Sequence, residues 1–356
     1  MLFGRRVSVF PLLKNGKRCG ILISNADGGL VMAALELVVT RAQEGRTVKS
    51  LLKGELGLST ALIGRLKRTE TGLTVNGRRV FTSAVLREGD RLSVDLPAAE
   101  RPTELRPVPM ALDVRFEDEH LLVVNKPAPL ASIPSSLVPG EPTLAAGLLY
   151  HLGEGSALHL VNRLDRGTTG LAAAAKTAYV HELLRRRLHT GAFHRTYLAV
   201  CLGGPAEERG RVELPIGRDP ASAVKRRIDP AGKPAATAYR VLERVGRFAL
   251  VELAPETGRT HQLRVHMAAL GCPLAGDWLY GTEDRGMISR PALHAARLAL
   301  DHPVTGEPLA LEAPLPEDMR KLLELERESN GSTDFSGSGV EYHILPQQIR
   351  GESPLP

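Results

Sequence analysis

Apolar positions recur at helical spacing twice early in the chain, at Val48, Leu51 and Leu52 and again at Leu62, Ile63 and Leu66, where Ser59 is placed to cap the second helix. Short β-like runs follow, Leu73-Thr74-Val75 and Leu92-Ser93-Val94, and Asn76-Gly77 predicts a hairpin turn into Arg78-Arg79-Val80. Together these predict a small α/β unit over 35–96. Pro97, Pro102, Pro107 and Pro109, set among charges, predict a proline-stiffened linker over 97–111 that lets the units on either side move relative to each other.

The pattern changes from Leu112. Leu121 to Val124 is a continuous apolar run, as in a buried strand, and Pro127 stops it just after Lys126. Thr143 is placed to cap a helix reaching Leu149, and Thr177 one with Val180, Leu184 and Leu188 on its inner face, closed by Gly191. Between them Leu171 to Lys176 is helical by propensity, being mostly alanine. Phe193 to Val200 alternates as a strand. Gly258 turns the chain, Thr260 is a credible cap, and a helix to Gly271 would bury Leu263, Met267 and Leu270. Residues 1–34 read as an extension outside the folded modules, open to being disordered. From about Glu328 the loss of large apolar residues predicts a disordered tail over 328–356.

A chain of 356 residues has room for about two domains. Lys+Arg 46 against Asp+Glu 40 leaves a net charge of +6, which suits a polyanionic partner. The excess is concentrated in the small unit, with eleven basic and six acidic residues over 41–96. Cys19, Cys201 and Cys272 lie far apart and support neither a disulfide framework nor a zinc site, so a reducing cytoplasm is the expected location. No apolar run approaches the ~20 residues of a membrane helix, and Lys14, Lys17 and Arg18 interrupt any export-signal core. A monomer is expected, with no metal and no cofactor: His261 and His266, five apart, face different ways.

The chemistry points to Leu158–Lys176. There an apolar run leads to Asn162, Arg163 and Asp165, Gly167 to Gly170 make a tight corner, and a second apolar run leaves. A carboxylate at such a corner either serves the turn or faces a cleft. A second dense stretch, Thr257 to His266, puts Arg264 one step off the apolar stripe, on the side shared with His261.

The first stretch resembles the R-L-D-x-x-T-[ST]-G signature of the pseudouridine synthases that modify large-subunit ribosomal RNA and some transfer RNAs, through Arg163, Leu164, Asp165, Thr168, Thr169 and Gly170. Asn162 stands where many members carry His. Lys126 fits V-N-K-P, Tyr197 fits K-x-Y with Arg195 for Lys, Thr257 to His266 fit T-G-R-x-H-Q-[IL]-R-x-H, and Gly276-Asp277, Tyr280-Gly281 and Leu293-His294-Ala295 continue the likeness. The order of motifs over 35–96 resembles the small RNA-binding module first named for ribosomal protein S-four.

The resemblance implies an α+β fold: a catalytic domain over 112–318 on a mixed, mostly antiparallel sheet flanked by helices, plus a small α/β RNA-binding module. It makes 171–176 a strand, against propensity. It implies Asp165 as the catalytic carboxylate, paired with Arg264 and served by Tyr197; Arg163, Lys126, Thr168, Arg259, His261 and Gln262 around the substrate; and Arg65, Lys67, Arg68, Arg226 and Arg227 on RNA phosphates. The expected partner is RNA, ribosomal ahead of transfer, and the expected reaction is isomerisation of uridine. The alternatives are a non-catalytic RNA-binding or ribosome-assembly protein of the same fold and, more weakly, a hydrolase using His261 or His266. The second lacks a nucleophilic Ser or Cys motif.

Overall fold

The alanine run becomes a strand because of where it lies. In the computed structural model, which describes residues 7–9, 17–24, 30–95, 105–135, 138–153, 156–188, 192–281 and 287–329, Thr169–Ala175 is central in a ten-stranded sheet and every one of its residues is buried. On one side it pairs antiparallel with Leu121–Lys126, on the other parallel with Leu293–Asp301. That second contact is the one parallel pairing among the described strands of the sheet; the other neighbours are antiparallel, as expected. Partners on both edges supply more than helix propensity, which differs between residues by less than about 1 kcal/mol each.

Side chains alternate across this sheet. Leu121, Val123, Leu171 and Ala173 join one buried cluster, while Leu122, Val124, Ala172 and Ala174 join another beneath the opposite face. The second face carries Leu144–Leu152, capped by Thr143, and Gln262–Ala269. The first carries Ala178–Arg187, capped by Thr177. That helix ends at Arg187, and Gly191 lies outside the described residues.

Two expectations about the bounds of the folded units are corrected. Residues 1–34 are not wholly outside the folded modules: Val7–Val9, Lys17–Ser24 and Leu30–Val38 are strands, and the last pairs with Arg91–Asp95. The signal passed over is the two-residue period of Leu35, Glu36 and Leu37, whose leucines are buried. Nor does the catalytic domain end at 318. Glu317–Ser329 is a helix whose Met319, Leu322 and Leu323 share a cluster with Phe248 and Leu250. Residues 330–356 of the expected tail, and the expected linker as far as 104, lie outside the described residues.

The small module has the expected helices, Val48–Gly54 and Thr60–Leu66, with the Ser59 hydroxyl accepting from the Leu62 N–H, and the hairpin at Asn76-Gly77, where both residues have positive φ. It is not free of the rest. Leu51, Leu52 and Leu58 share a buried cluster with Val180 and Leu184, and Arg186 donates across to the carbonyls of Lys53 and Leu58. Arg185 and Arg187 are likewise engaged within the protein, on Glu182 and the Asp301 carbonyl. Among the described residues no helix is long and apolar enough to cross a membrane.

Gly170 is required where the signature places it. Its φ is +107°, and a Cβ there would lie 2.3 Å from the Ala295 carbonyl oxygen. Gly170→Ala is therefore expected to cost about 3 kcal/mol or more of stability, from backbone strain and overpacking together. A fall in the urea midpoint at unchanged slope checks this.

Candidate active site

The corner at Asp165 is held from three directions. The Thr168 N–H closes a turn onto the Asp165 carbonyl (3.0 Å), the Leu130 N–H reaches the Arg166 carbonyl, and Ser132 Oγ both donates to the Leu164 carbonyl (2.7 Å) and accepts its N–H (3.0 Å). Asn162 is buried, and its amide donates to the Leu171 carbonyl and accepts from the Ala173 N–H, latching the corner to the central strand. So the residue that stands in place of His has a structural task. From behind, Arg290 donates to the Gly167 carbonyl (3.3 Å) while forking onto Asp318 at 2.7 Å twice. A backbone fixed this way leaves the Asp165 side chain, 30% exposed, facing a cleft of about 1000 Å³.

Arg264 comes to the same cleft from the helix Gln262–Ala269. Its tight partner is Asp277, fully buried, which accepts from Nε and Nη2 at 2.7 Å each; the third nitrogen, Nη1, lies 3.7 Å from Asp165 Oδ2. Burial would pull the guanidinium's pKa down, but the hydrogen bonds and charge of Asp277, together with Asp165, leave it raised. The expected pairing of Arg264 with Asp165 is thus the outer contact of a guanidinium already clamped by a second carboxylate.

His261 stands beside them with φ +58°, the left-handed region, and it takes the helix N-cap position that Thr260 was expected to hold. Its Nδ1 is 2.8 Å from the Tyr280 hydroxyl, which also accepts the Arg226 N–H, and its Nε2 is 3.9 Å from Asp165 Oδ2. Burial lowers the imidazole pKa, the neighbouring Asp165 acting against it. Assigning the phenol's one proton to Nδ1 leaves Nε2–H directed at Asp165. Tyr280 also lies under the Arg264 guanidinium, 5.0 Å from ring centre to Cζ.

Tyr197 reaches the cleft from Phe193–Leu202, at a register shift between Thr196 and Tyr197 against Leu293–Asp301 that re-aims the strand. It is nearly buried, and burial raises its phenol pKa. Arg163, Thr168 and Arg259 also line the cleft, Arg163 exposed, and Arg195 lies there with Tyr197.

Two residues expected around the substrate are engaged elsewhere. Lys126 is fully buried and outside the cleft lining, with Nζ donating to the carbonyls of Pro127 (2.9 Å) and Leu130 (2.7 Å). Burial pushes its pKa down to about 7, the charge of Asp165 acting against it and that of Arg290 with it. It ties the loop after its own strand. Gln262 lines the cleft wall but its amide is spent on the protein: Oε1 accepts from Thr257 Oγ1 and the Arg259 N–H, and Nε2 donates to the Ala236 carbonyl and Thr237 Oγ1. Leu270, expected in the core, is 39% exposed. Arg226 and Arg227 lie on the strand Arg226–Ile228 outside the cleft lining, and Arg65, Lys67 and Arg68 are exposed on the small module.

Sequence reasoning gave Asp277, Tyr280 and Arg290 no place at the site, and the structure brings all three to it. A signal existed for the first: an arginine carried by a helix into the interior requires a buried carboxylate, and Asp277 was already part of a quoted motif. Among the described residues no group of three His, Cys, Asp or Glu is placed to hold a metal ion.

Residues 120–269, which span most of this site, match the family described as RNA pseudouridylate synthase. The Bacillus subtilis (strain 168) protein described as RNA pseudouridine synthase YjbO is 42% identical over 273 residues, 76% of this chain and 96% of its own. A second protein of that organism, described as RNA pseudouridine synthase YhcT, is 38% identical over 294 residues, covering 81% of this chain and 96% of its own. Ribosomal large subunit pseudouridine synthase D of Xanthomonas campestris pv. campestris is 37% identical over 273 residues, 72% of this chain and 81% of its own. Likeness of that extent, running through nearly the whole length of several relatives, makes this chain a member of the RNA pseudouridine synthase family.

Proposed function

We propose that this RNA pseudouridine synthase isomerises uridine in ribosomal RNA, with Asp165 as the catalytic carboxylate. The observation that carries the assignment is the placing of Arg264, whose guanidinium is anchored on Asp277 and presents its free nitrogen 3.7 Å from Asp165 on the floor of the cleft. The reaction breaks the bond from N1 of uracil to carbon 1′, turns the base, joins carbon 5 to carbon 1′ and moves the carbon 5 proton away. A carboxylate serves by attack on carbon 1′, by attack on carbon 6 or by taking the 2′ proton. Each role needs it fixed, partnered and within reach of a nucleoside flipped out of the RNA, a cost of a few kcal/mol that the binding surface must supply. Tyr197, walled in beside it, stacks under the uracil and hands on a proton.

Ribosomal RNA is favoured as substrate because several relatives carry the description ribosomal large subunit pseudouridine synthase D. The test is tritium release from carbon-5-labelled ribosomal RNA transcripts, with sites mapped by carbodiimide primer extension. Failure to convert any uridine in ribosomal transcripts while converting transfer RNA would reject the substrate assignment.

Residues 35–96 act as a second RNA contact, like the ribosomal protein S-four module they resemble. Exposed Arg65, Lys67 and Arg68 at the end of Thr60–Leu66 suit phosphates, which carry affinity but no sequence information. Replacing all three by Ala is expected to weaken RNA binding and flatten the slope of log K against log salt by roughly 2, with kcat unchanged. Filter binding across a salt series reads the slope.

A further inference from the structure

The turn behind Arg264 carries a tryptophan that the mechanism does not use. Trp278 lines the cleft that holds Asp165, yet is 58% exposed. Nine large hydrophobic residues are exposed among the described residues, and three of them, Ile133, Val138 and Trp278, line this one cleft. An indole is the largest side chain, most of it apolar, and one left in water gains free energy when an apolar or aromatic surface covers it.

Its backbone is fixed with respect to the reacting groups. Asp277, which clamps Arg264, also accepts the N–H groups of Leu279 (3.1 Å) and Tyr280 (3.3 Å) through Oδ1, and its carbonyl accepts the Gly281 N–H (2.8 Å). The Trp278 N–H bonds the Gly276 carbonyl at 3.1 Å. One buried carboxylate therefore sets both the guanidinium beside Asp165 and the segment bearing the indole. The cleft is also larger than one nucleoside requires, since about 1000 Å³ is at the top of the roughly 300–1,000 Å³ range of pockets for whole drug-sized ligands. Exposed Arg163 lines it too, a cation suited to the phosphates that accompany a base, while Arg166 is forked onto Glu141 in the same lining. Three apolar side chains within a cleft are too small a surface for a protein interface, whereas every nucleobase offers a π-face.

We propose that Trp278 is a stacking platform for the nucleobase next to the uridine that enters the cleft. The inference rests on the functional reading above and adds to it a second base subsite.

The chain holds a single tryptophan, so its fluorescence reports this side chain alone. Titrating the full-length protein with a stem-loop RNA carrying an oligouridylate loop should quench the emission by about half or more, as stacking requires. The same stem-loop with abasic riboses in the loop should bind through its phosphates and leave the emission nearly unchanged. In turnover on ribosomal RNA transcript, Trp278→Ala should raise KM about tenfold, ~1.4 kcal/mol, at unchanged kcat, and Trp278→Phe should stay within about threefold of the wild type. Equal quenching by intact and abasic loops, or a wild-type KM for Trp278→Ala, overturns the proposal. A wild-type protein that is quenched by the intact loop but releases no tritium from any RNA would instead remove the functional reading and leave the base subsite standing.

Discussion

Asp165→Asn is expected to reduce pseudouridine formation by at least about 10⁴-fold, the scale on which enzymes lose activity when a group acting on the reacting bond is removed. The substitution keeps the shape and most hydrogen-bonding capacity of the side chain. The Asp165 corner is held by its backbone and by Asn162, Ser132 and Arg290, none of which bonds the carboxylate, so the fold should not change. RNA binding should survive within severalfold, and the thermal midpoint should move little. Tritium release under single-turnover conditions measures the first, filter binding the second. Turnover within a hundredfold of the wild type would end the assignment of Asp165.

Asp277→Ala should be the most destabilising single change in the site. It leaves the Arg264 guanidinium, whose side chain is 7% exposed, without its close counter-charge, and breaking a buried pair from one side costs about 3–5 kcal/mol. Activity should fall with stability, since the nitrogen that faces Asp165 loses its anchor and the turn 277–281 its acceptor. Replacing both partners, Arg264→Met with Asp277→Leu, separates the two effects. Stability in urea should return to within about 2 kcal/mol of the wild type, because an apolar pair avoids the desolvation of two charges, while activity stays lost. Recovery of activity in that double variant would show that Arg264 serves the fold only.

These expectations concern groups far apart in the chain, and there the reading of the sequence ran short. The helix caps at Ser59, Thr143 and Thr177 and the turn at Asn76-Gly77 were all legible, because each is written within four or five residues. The corner that presents Asp165 was legible for the same reason. Lys126 was expected beside the substrate through the V-N-K-P likeness, and nothing local announces that the loop beyond it turns back to offer its carbonyls. The strand Leu30–Val38 was missed although its alternation was visible, since its partner Arg91–Asp95 lies across the whole module.

By itself the sequence determined the helix caps, the Asn76-Gly77 turn and the kinds of group available for chemistry, all set by backbone sterics and hydrogen bonds between near neighbours in the chain. Only the tertiary structure decided which carboxylate neutralises Arg264, that Lys126 is caged, that the small module docks against Ala178–Arg187 and that Trp278 is left uncovered at the cleft. The reason is physical: charge pairing and burial depend on distance and dielectric in three dimensions, and residues brought together by a ten-stranded sheet carry no mark of that proximity along the chain.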